Sequence, residues 1–230
     1  MADDGADDGA DEVGRDGTIR EKLVATKEAW ARTGRGLTGE TADPARDRLP
    51  PGQHLTTDWP VLDLGVVPRV DRANWQLTVD GLVENPVTWR WDDLQAQPVF
   101  RSLSDIHCVT TWSRYDNHWE GVSAKHLLSV VRPAAEAAHV VFHSFDGYTT
   151  NVPLPAFDDD DVLLATTWEG EPISRDHGGP VRVILPKLYL WKSAKWVKRI
   201  EFVATDRKGY WEVRGYHNEA DPWKEERYSE

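Results

Sequence analysis

The sequence predicts a β-rich α+β domain. Short runs of apolar and β-branched residues recur along the chain, each closed by Gly, Pro, Asn or Asp. Helical periods are few and short, and strands mixed with a minority of helices read as α+β. No internal repeat is visible. No GxGxxG or P-loop pattern is present either, which argues against a nucleotide site of those kinds.

Residues 1–17 are Asp, Gly and Ala without a hydrophobic period, and read as a disordered acidic tail. Thr18 is placed to cap a helix over about 18–33, with Ile19, Leu23, Ala29 and Trp30 on one face and Gly34, Gly36 and Gly39 ending it. Pro44, Pro50 and Pro51 mark 40–54 as an extended arm. The compact domain is expected over 55–230. Segments 61–65 and 75–81 read as short strands ending in turns, and 89–94 as a helix capped by Thr88. Segment 101–108 is a strand running into a loop, and Ser123 caps a helix over 124–131. A strong strand at 139–145 ends at Asp146-Gly147, and 155–161 is a short acidic segment. Strands are expected at 162–168, 181–186 and 197–203, the last alternating as a half-buried one. The aromatic stretch 210–228 is expected to wrap the domain.

Composition narrows the function classes. Charged residues make up 29% and hydrophobic ones 40%, as in a soluble globular protein. Twelve tryptophans favour a Trp-rich core over a functional aromatic cluster. The formal net charge of -12 disfavours nucleic acid and anionic membranes as partners. An anionic ligand would need local positive charge. The single cysteine cannot form an internal disulfide. No apolar run approaches the roughly 18 residues of a membrane span, and the acidic start does not resemble a secretory signal. The cytoplasm is therefore the expected compartment.

That cysteine, Cys108, is the first chemical question. A lone free cysteine ordinarily serves as a small core hydrophobe. Three chemical roles compete with that reading. A structural zinc site needs several Cys or His at tight spacing, and no CxxC or HExxH occurs. A cysteine hydrolase needs a His base, but His107 is the strand neighbour and points to the other face. The third role is one thiolate on a soft metal whose other ligands come from a cofactor. The surrounding run from Asp105 to Val122, dense in polar and aromatic residues, favours the third. Downstream, Asp176-His-Gly-Gly-Pro-Val-Arg holds His177 and Arg182 around a glycine turn. Glycine there lets backbone approach a ligand closely, and Arg182, set in an apolar run, suits bidentate phosphate binding. Lys192, Lys195 and Lys198 then concentrate positive charge, as an anion seat or as an ordinary basic stripe.

Taken in order, these motifs resemble the molybdopterin-binding domain of the sulfite oxidase family. The resemblance runs from about Leu55 to Val203. Asp-His-Gly-Gly-Pro-Val-Arg and Lys-Ser-Ala-Lys-Trp match best, and Gly215-Tyr-His-Asn resembles the small bacterial members. The resemblance implies a β-rich mixed-sheet fold of sulfite oxidase type and a molybdenum–molybdopterin cofactor. It implies that Cys108 is the metal thiolate. His177 and Arg182 would hold the pterin and its phosphate, with Ser193, Ala194, Lys195, Ser144 and Thr57 as further cofactor contacts. Tyr148 would be the active-site tyrosine, and Arg114 the basic group on the substrate side.

This chain also departs from the sulfite oxidases. They follow the metal cysteine with Ala-Gly-Asn-Arg-Arg, where this chain has Val-Thr-Thr-Trp-Ser-Arg, and Thr56 stands where a substrate-binding arginine is expected. The expected activity is oxygen-atom transfer on a small substrate, in either the oxidising direction or as reduction of a sulfoxide or N-oxide. The scarcity of arginine favours a neutral substrate. With no haem or iron–sulfur motif in the sequence, electrons would pass through a separate partner. A non-catalytic binding module that keeps the fold is the alternative.

Overall fold

The computed structural model describes Ala25 and residues 48–229. Ala25 is helical; the acidic tail over 1–17 and the rest of the helix expected over 18–33 lie outside the described residues. In chain order the elements are β1 (His54–Leu55), β2 (Gln76–Gly81), β3 (Val87–Arg90), α1 (Trp91–Gln95), β4 (Phe100–His107) and β5 (Trp112–Ser123). Then come α2 (Ala124–Val131), β6 (His139–Ser144), β7 (Thr149–Pro153), α3 (Leu154–Phe157), β8 (Leu163–Trp168), β9 (Glu171–Pro172), β10 (Arg182–Ile184) and β11 (Val197–Val203). One sheet has the order β1-β5-β8-β10, with β4 also on β5 and β9 on β8; the second has the order β3-β2-β11-β6-β7. The pairing is mixed: β1 runs parallel to β5 and β2 to β11, and the other strand pairs are antiparallel. This is the β-rich α+β architecture expected.

Several elements form for the reasons seen in the sequence. Ser123 Oγ accepts from the His126 N–H at 3.1 Å, so α2 starts where expected, and Ala124, Leu127 and Val131 bury one face. The β11 burial pattern alternates. Trp75, Trp112, Trp119 and Trp196 are among the largest fully buried side chains. Tryptophan is therefore core material here, although Trp59, Trp112, Trp191, Trp196 and Trp211 also line a cleft.

Other elements differ from expectation. Segment 61–65 is loop rather than strand, because the Asp63 carboxylate accepts from the Gly65 N–H at 2.7 Å and turns the chain locally. Thr88 does not cap a helix. It sits in β3 opposite Thr78, and α1 begins after Arg90, whose N–H donates to Asp93. The long strand β5 and the short β7 went unread, since Arg114, Asp116, Asn117, Thr149 and Asn151 interrupt any apolar alternation. The domain also begins before residue 55. Leu49, Gln53 and His54 are buried, and Arg48 pairs with Asp105 and Asp116.

Gly121 sets how closely β5 approaches β8, for a Cβ there would lie 2.0 Å from the Leu164 carbonyl oxygen. The atoms it would meet are all β8 backbone, which cannot swing aside as a side chain can. We predict that Gly121→Ala costs about 3 kcal/mol, the upper range of overpacking penalties. It should be read as a lower denaturant midpoint at unchanged slope; an unchanged midpoint would contradict this packing.

Candidate cofactor and active site

Loops at one end of the sheets converge on a cleft of about 820 Å³, its open mouth included. The turn after β4 brings Cys108, Val109 and Thr110 to it. The β6–β7 turn brings Ser144, Asp146 and Tyr148; the turn before β10 and the stretch after it bring His177, Arg182, Ser193 and Lys195. Seven of the ten predicted site residues therefore line one cleft.

Cys108 is buried at 5% exposure in a tight turn. Its N–H donates to the Trp112 carbonyl at 2.8 Å, and its carbonyl accepts from Thr111 at 3.0 Å. Thr111 closes the turn with φ of 73°. The Cys108 Sγ lies 3.1 Å from Thr110 Oγ1. A hydroxyl at that distance can donate to a thiolate and moderate the charge it gives a metal.

Arg182 stands on β10 between two core residues, with its guanidinium fully buried. Nη1 donates to the His177 carbonyl at 2.8 Å and Nη2 to the Ser193 carbonyl at 3.0 Å. The Trp59 ring lies beneath it, 5.1 Å from the charge centre. Among the described residues no carboxylate pairs with it, and burial pulls its pKa down to about 9. A guanidinium still carries its charge at neutral pH. A buried charge without a counterion costs several kcal/mol, so the site is suited to an anion.

His177 stacks on Trp59 at 4.1 Å. Its Nε2 meets the Trp59 carbonyl at 2.8 Å and its Nδ1 the Ser174 hydroxyl at 2.8 Å. A carbonyl only accepts, so Nε2 carries the proton. Burial, with Arg182 and Lys195 nearby, lowers the His177 pKa and keeps the ring neutral. Lys195 donates to the Asp176 carbonyl at 2.5 Å. A Cβ on Gly178 would strike Lys195 at 2.8 Å, and one on Gly179 would strike the Ile173 carbonyl oxygen at 2.1 Å. The glycines thus bring the turn against Lys195 and Ile173, whereas the sequence suggested a ligand.

Ser193 Oγ accepts from the Leu185 N–H at 2.9 Å. The neighbouring Lys192 is not part of a surface stripe. It is fully buried, 2.7 Å from Glu212, and donates to the Asn151 carbonyl at 2.8 Å. Glu212 also accepts from Trp191 Nε1 and Thr150, which ties this stretch to β7. The Tyr148 hydroxyl donates to the Trp191 carbonyl at 2.6 Å. Burial and then Glu212 hold its pKa well above the usual value, so it stays protonated.

Thr57, Arg114 and Ala194 are not in the lining. Arg114 is spent elsewhere: it donates to the Thr57 carbonyl at 3.1 Å, to Asn117 and to Glu169, and lies 4.7 Å over Trp168. Thr57 therefore contributes a backbone carbonyl to Arg114, and Ala194 a backbone carbonyl to Val183. Trp59 and Thr110 were missed. Trp59 lies 118 residues from His177, and nothing local in the sequence signals that contact.

Three buried donors in the lining, Ser144 Oγ, Arg182 Nε and Trp112 Nε1, have no hydrogen-bond partner among the described residues. Orphaned buried donors are rare and call for an acceptor. With the uncompensated guanidinium and the thiol in the same cleft, they fit an oxygen-rich anionic cofactor that also carries a soft metal. We predict that sulfate raises the melting temperature of cofactor-free protein in proportion to site occupancy. Arg182→Met should abolish that increment without lowering the sulfate-free melting temperature; an increment that survives the substitution would place the anion elsewhere.

Known proteins agree with this chemistry. The model of the oxidoreductase molybdopterin binding domain matches residues 64–211. The oxidoreductase YuiH of Bacillus subtilis is 44% identical over 183 residues, covering 79% of this chain and 92% of YuiH. The catalytic subunit of the protein-methionine-sulfoxide reductase MsrP of Ralstonia nicotianae is 30% identical, over 64% of this chain and 51% of MsrP. Sulfite oxidase of Arabidopsis thaliana is 27% identical, over 66% of this chain and 48% of that enzyme. The chain thus spans nearly all of YuiH and about half of the other two. The sulfane dehydrogenase SoxCD of Paracoccus pantotrophus shares the fold, with a TM-score of 0.55 at 21% identity over 60% of this chain and 40% of that one. The chain belongs to the oxidoreductase molybdopterin-binding family, as a sulfite-oxidase-like, molybdenum-dependent oxidoreductase.

Proposed function

We propose that this oxidoreductase transfers an oxygen atom to or from a small neutral substrate, with Cys108 as the single protein thiolate on the metal. The observation that carries the reading is the shared cleft of Cys108 and the unpaired buried cation Arg182. The molybdenum–molybdopterin cofactor supplies two-electron redox chemistry and oxygen-atom transfer when bound. The chain supplies the rest. Arg182 and Lys195 would neutralise the phosphate, and the neutral His177 ring, stacked on Trp59, forms the wall beside them. Ser144 and Ser193 offer hydroxyls, while Ala194 acts through its backbone. Tyr148, held protonated by burial, is the proton donor on the substrate side.

Substrate charge follows from the same lining. Arg182 and Lys195 are its Arg and Lys residues, and both face the cofactor phosphate in this reading. Asp63 and Asp146 add negative charge, and the rest of the lining is aromatic, aliphatic or uncharged polar. Arg114, engaged with Glu169 and Asn117, is not available to bind sulfite. A neutral sulfoxide or N-oxide suits such a lining better than an anion. A separate electron-transfer partner completes the cycle. A cytoplasmic location remains part of the proposal, from the single cysteine.

Two substitutions test the assignment. Cys108→Ser, made in a host that produces molybdopterin, should lower molybdenum content at least tenfold by elemental analysis. Retention of both near-stoichiometric metal and wild-type turnover would remove Cys108 from the metal. Tyr148→Phe should keep its metal but reduce turnover of a sulfoxide substrate by about 10², the lower range for a lost general acid. Unchanged turnover would leave Tyr148 a packing residue.

A further inference from the structure

The Cys108 turn is held by two segments that lie outside the matched family region of 64–211. Gln53, fully buried ahead of β1, donates its amide N–H to the Cys108 carbonyl at 3.1 Å. Its amide oxygen accepts from Ser113, which in turn contacts His107 at 2.8 Å. From the other terminus, Arg227 Nη1 donates to the Val109 carbonyl at 2.7 Å. Its Nη2 reaches the Pro51 and Gly52 carbonyls, each at 3.4 Å, and the guanidinium lies 5.0 Å over the Tyr189 ring. Gly52, with φ of +68°, leaves it room, for a Cβ there would lie 3.0 Å from Nη2. A bridge between Tyr216 and Tyr228, with the His217 N–H on the Arg227 carbonyl, fixes the segment that carries it.

Arg227, like Arg182, donates mainly to backbone carbonyls. Its side chain is 10% exposed, and its nearest carboxylate, Glu225, stands 4.0 Å away and is itself half exposed. Its charge faces the Val109 carbonyl of the cysteine turn and the Pro51 and Gly52 carbonyls beside it, in a medium that screens poorly. We infer that Arg227 and Gln53 are positioning residues for Cys108: together they fix the orientation of the thiolate, and the Arg227 charge raises the reduction potential of the metal bound there. The direction follows from charge. A nearby cation disfavours the more positive, oxidised metal, and groups behind the ligands are a recognised means of tuning a site. This rests on Cys108 being the metal ligand.

The test uses molybdenum-loaded protein. A Cys108→Ser protein whose Mo(V) spectrum matches wild type would defeat the Cys108 assignment and the tuning with it, whereas an altered spectrum there with an unchanged potential in Arg227→Met would overturn the tuning alone. In loaded protein, Arg227→Met should shift the molybdenum midpoint potential downward and alter the Mo(V) paramagnetic resonance spectrum. Arg227→Lys, which keeps the charge but loses the fork, should hold the potential near wild type while losing as much thermal stability as Arg227→Met. A merely structural role predicts no such separation. An unchanged potential in Arg227→Met, or an equal shift in Arg227→Lys, would overturn the inference. Should Arg227→Met fail to fold or load, Gln53→Met keeps the question open to measurement: a changed Mo(V) spectrum supports the clamp, and a wild-type spectrum defeats it.

Discussion

Arg182 carries a positive charge into the interior with no carboxylate to meet it among the described residues. Much of the site is arranged around that fact. Its guanidinium is oriented by two backbone carbonyls, of His177 and Ser193, and backed by the Trp59 ring. Those contacts fix the turn before β10 and the stretch after it on either side of one cation. Lys192, one residue from Ser193, is treated oppositely: its charge is matched at 2.7 Å by Glu212. A matched pair holds the fold together, whereas an unmatched cation leaves binding energy for a ligand.

The cleft then divides by chemistry. Around Arg182 lie His177, Lys195 and the Trp59 stack. Tyr148, Trp191, Trp211 and Tyr216 belong to a second aromatic set linked ring to ring through Tyr210, with Tyr189 stacked on Trp191 at its end. One part suits a phosphate and the other a small substrate of low charge. An acidic protein thereby creates a local anion site without changing its overall sign.

What was legible in the sequence was local. The Ser123 cap and the alternation of β11 are written in neighbouring residues and form as expected, while the Gly-Gly-Pro-Val-Arg turn forms with its glycines against Lys195 and Ile173 rather than a ligand. The conjunction of a lone cysteine, a His-Arg turn and a lysine run pointed to the right family. What was not legible depended on partners far along the chain. Arg114 looked available until Asn117, Glu169 and the Thr57 carbonyl claimed it. Lys192 looked exposed until Glu212, twenty residues on, buried it. The strand β5 hid its period behind polar side chains that bond within its own turn and edge, Asn117 to the Ser104 and Arg114 carbonyls among them. Gln53 and Arg227 gave no signal at all, because their role exists only where the two ends of the described chain meet the cysteine turn.

The position of a bound cofactor bears most directly on the roles of Cys108 and Arg182. A crystal structure of molybdenum-loaded protein, with anomalous scattering recorded at the molybdenum edge, would locate both ends of it. We predict one metal peak bonded to Cys108 Sγ and a phosphate against the Arg182 guanidinium in the same cleft. A metal peak away from Cys108, or a phosphate bound elsewhere with Arg182 still facing only carbonyls, would contradict these roles.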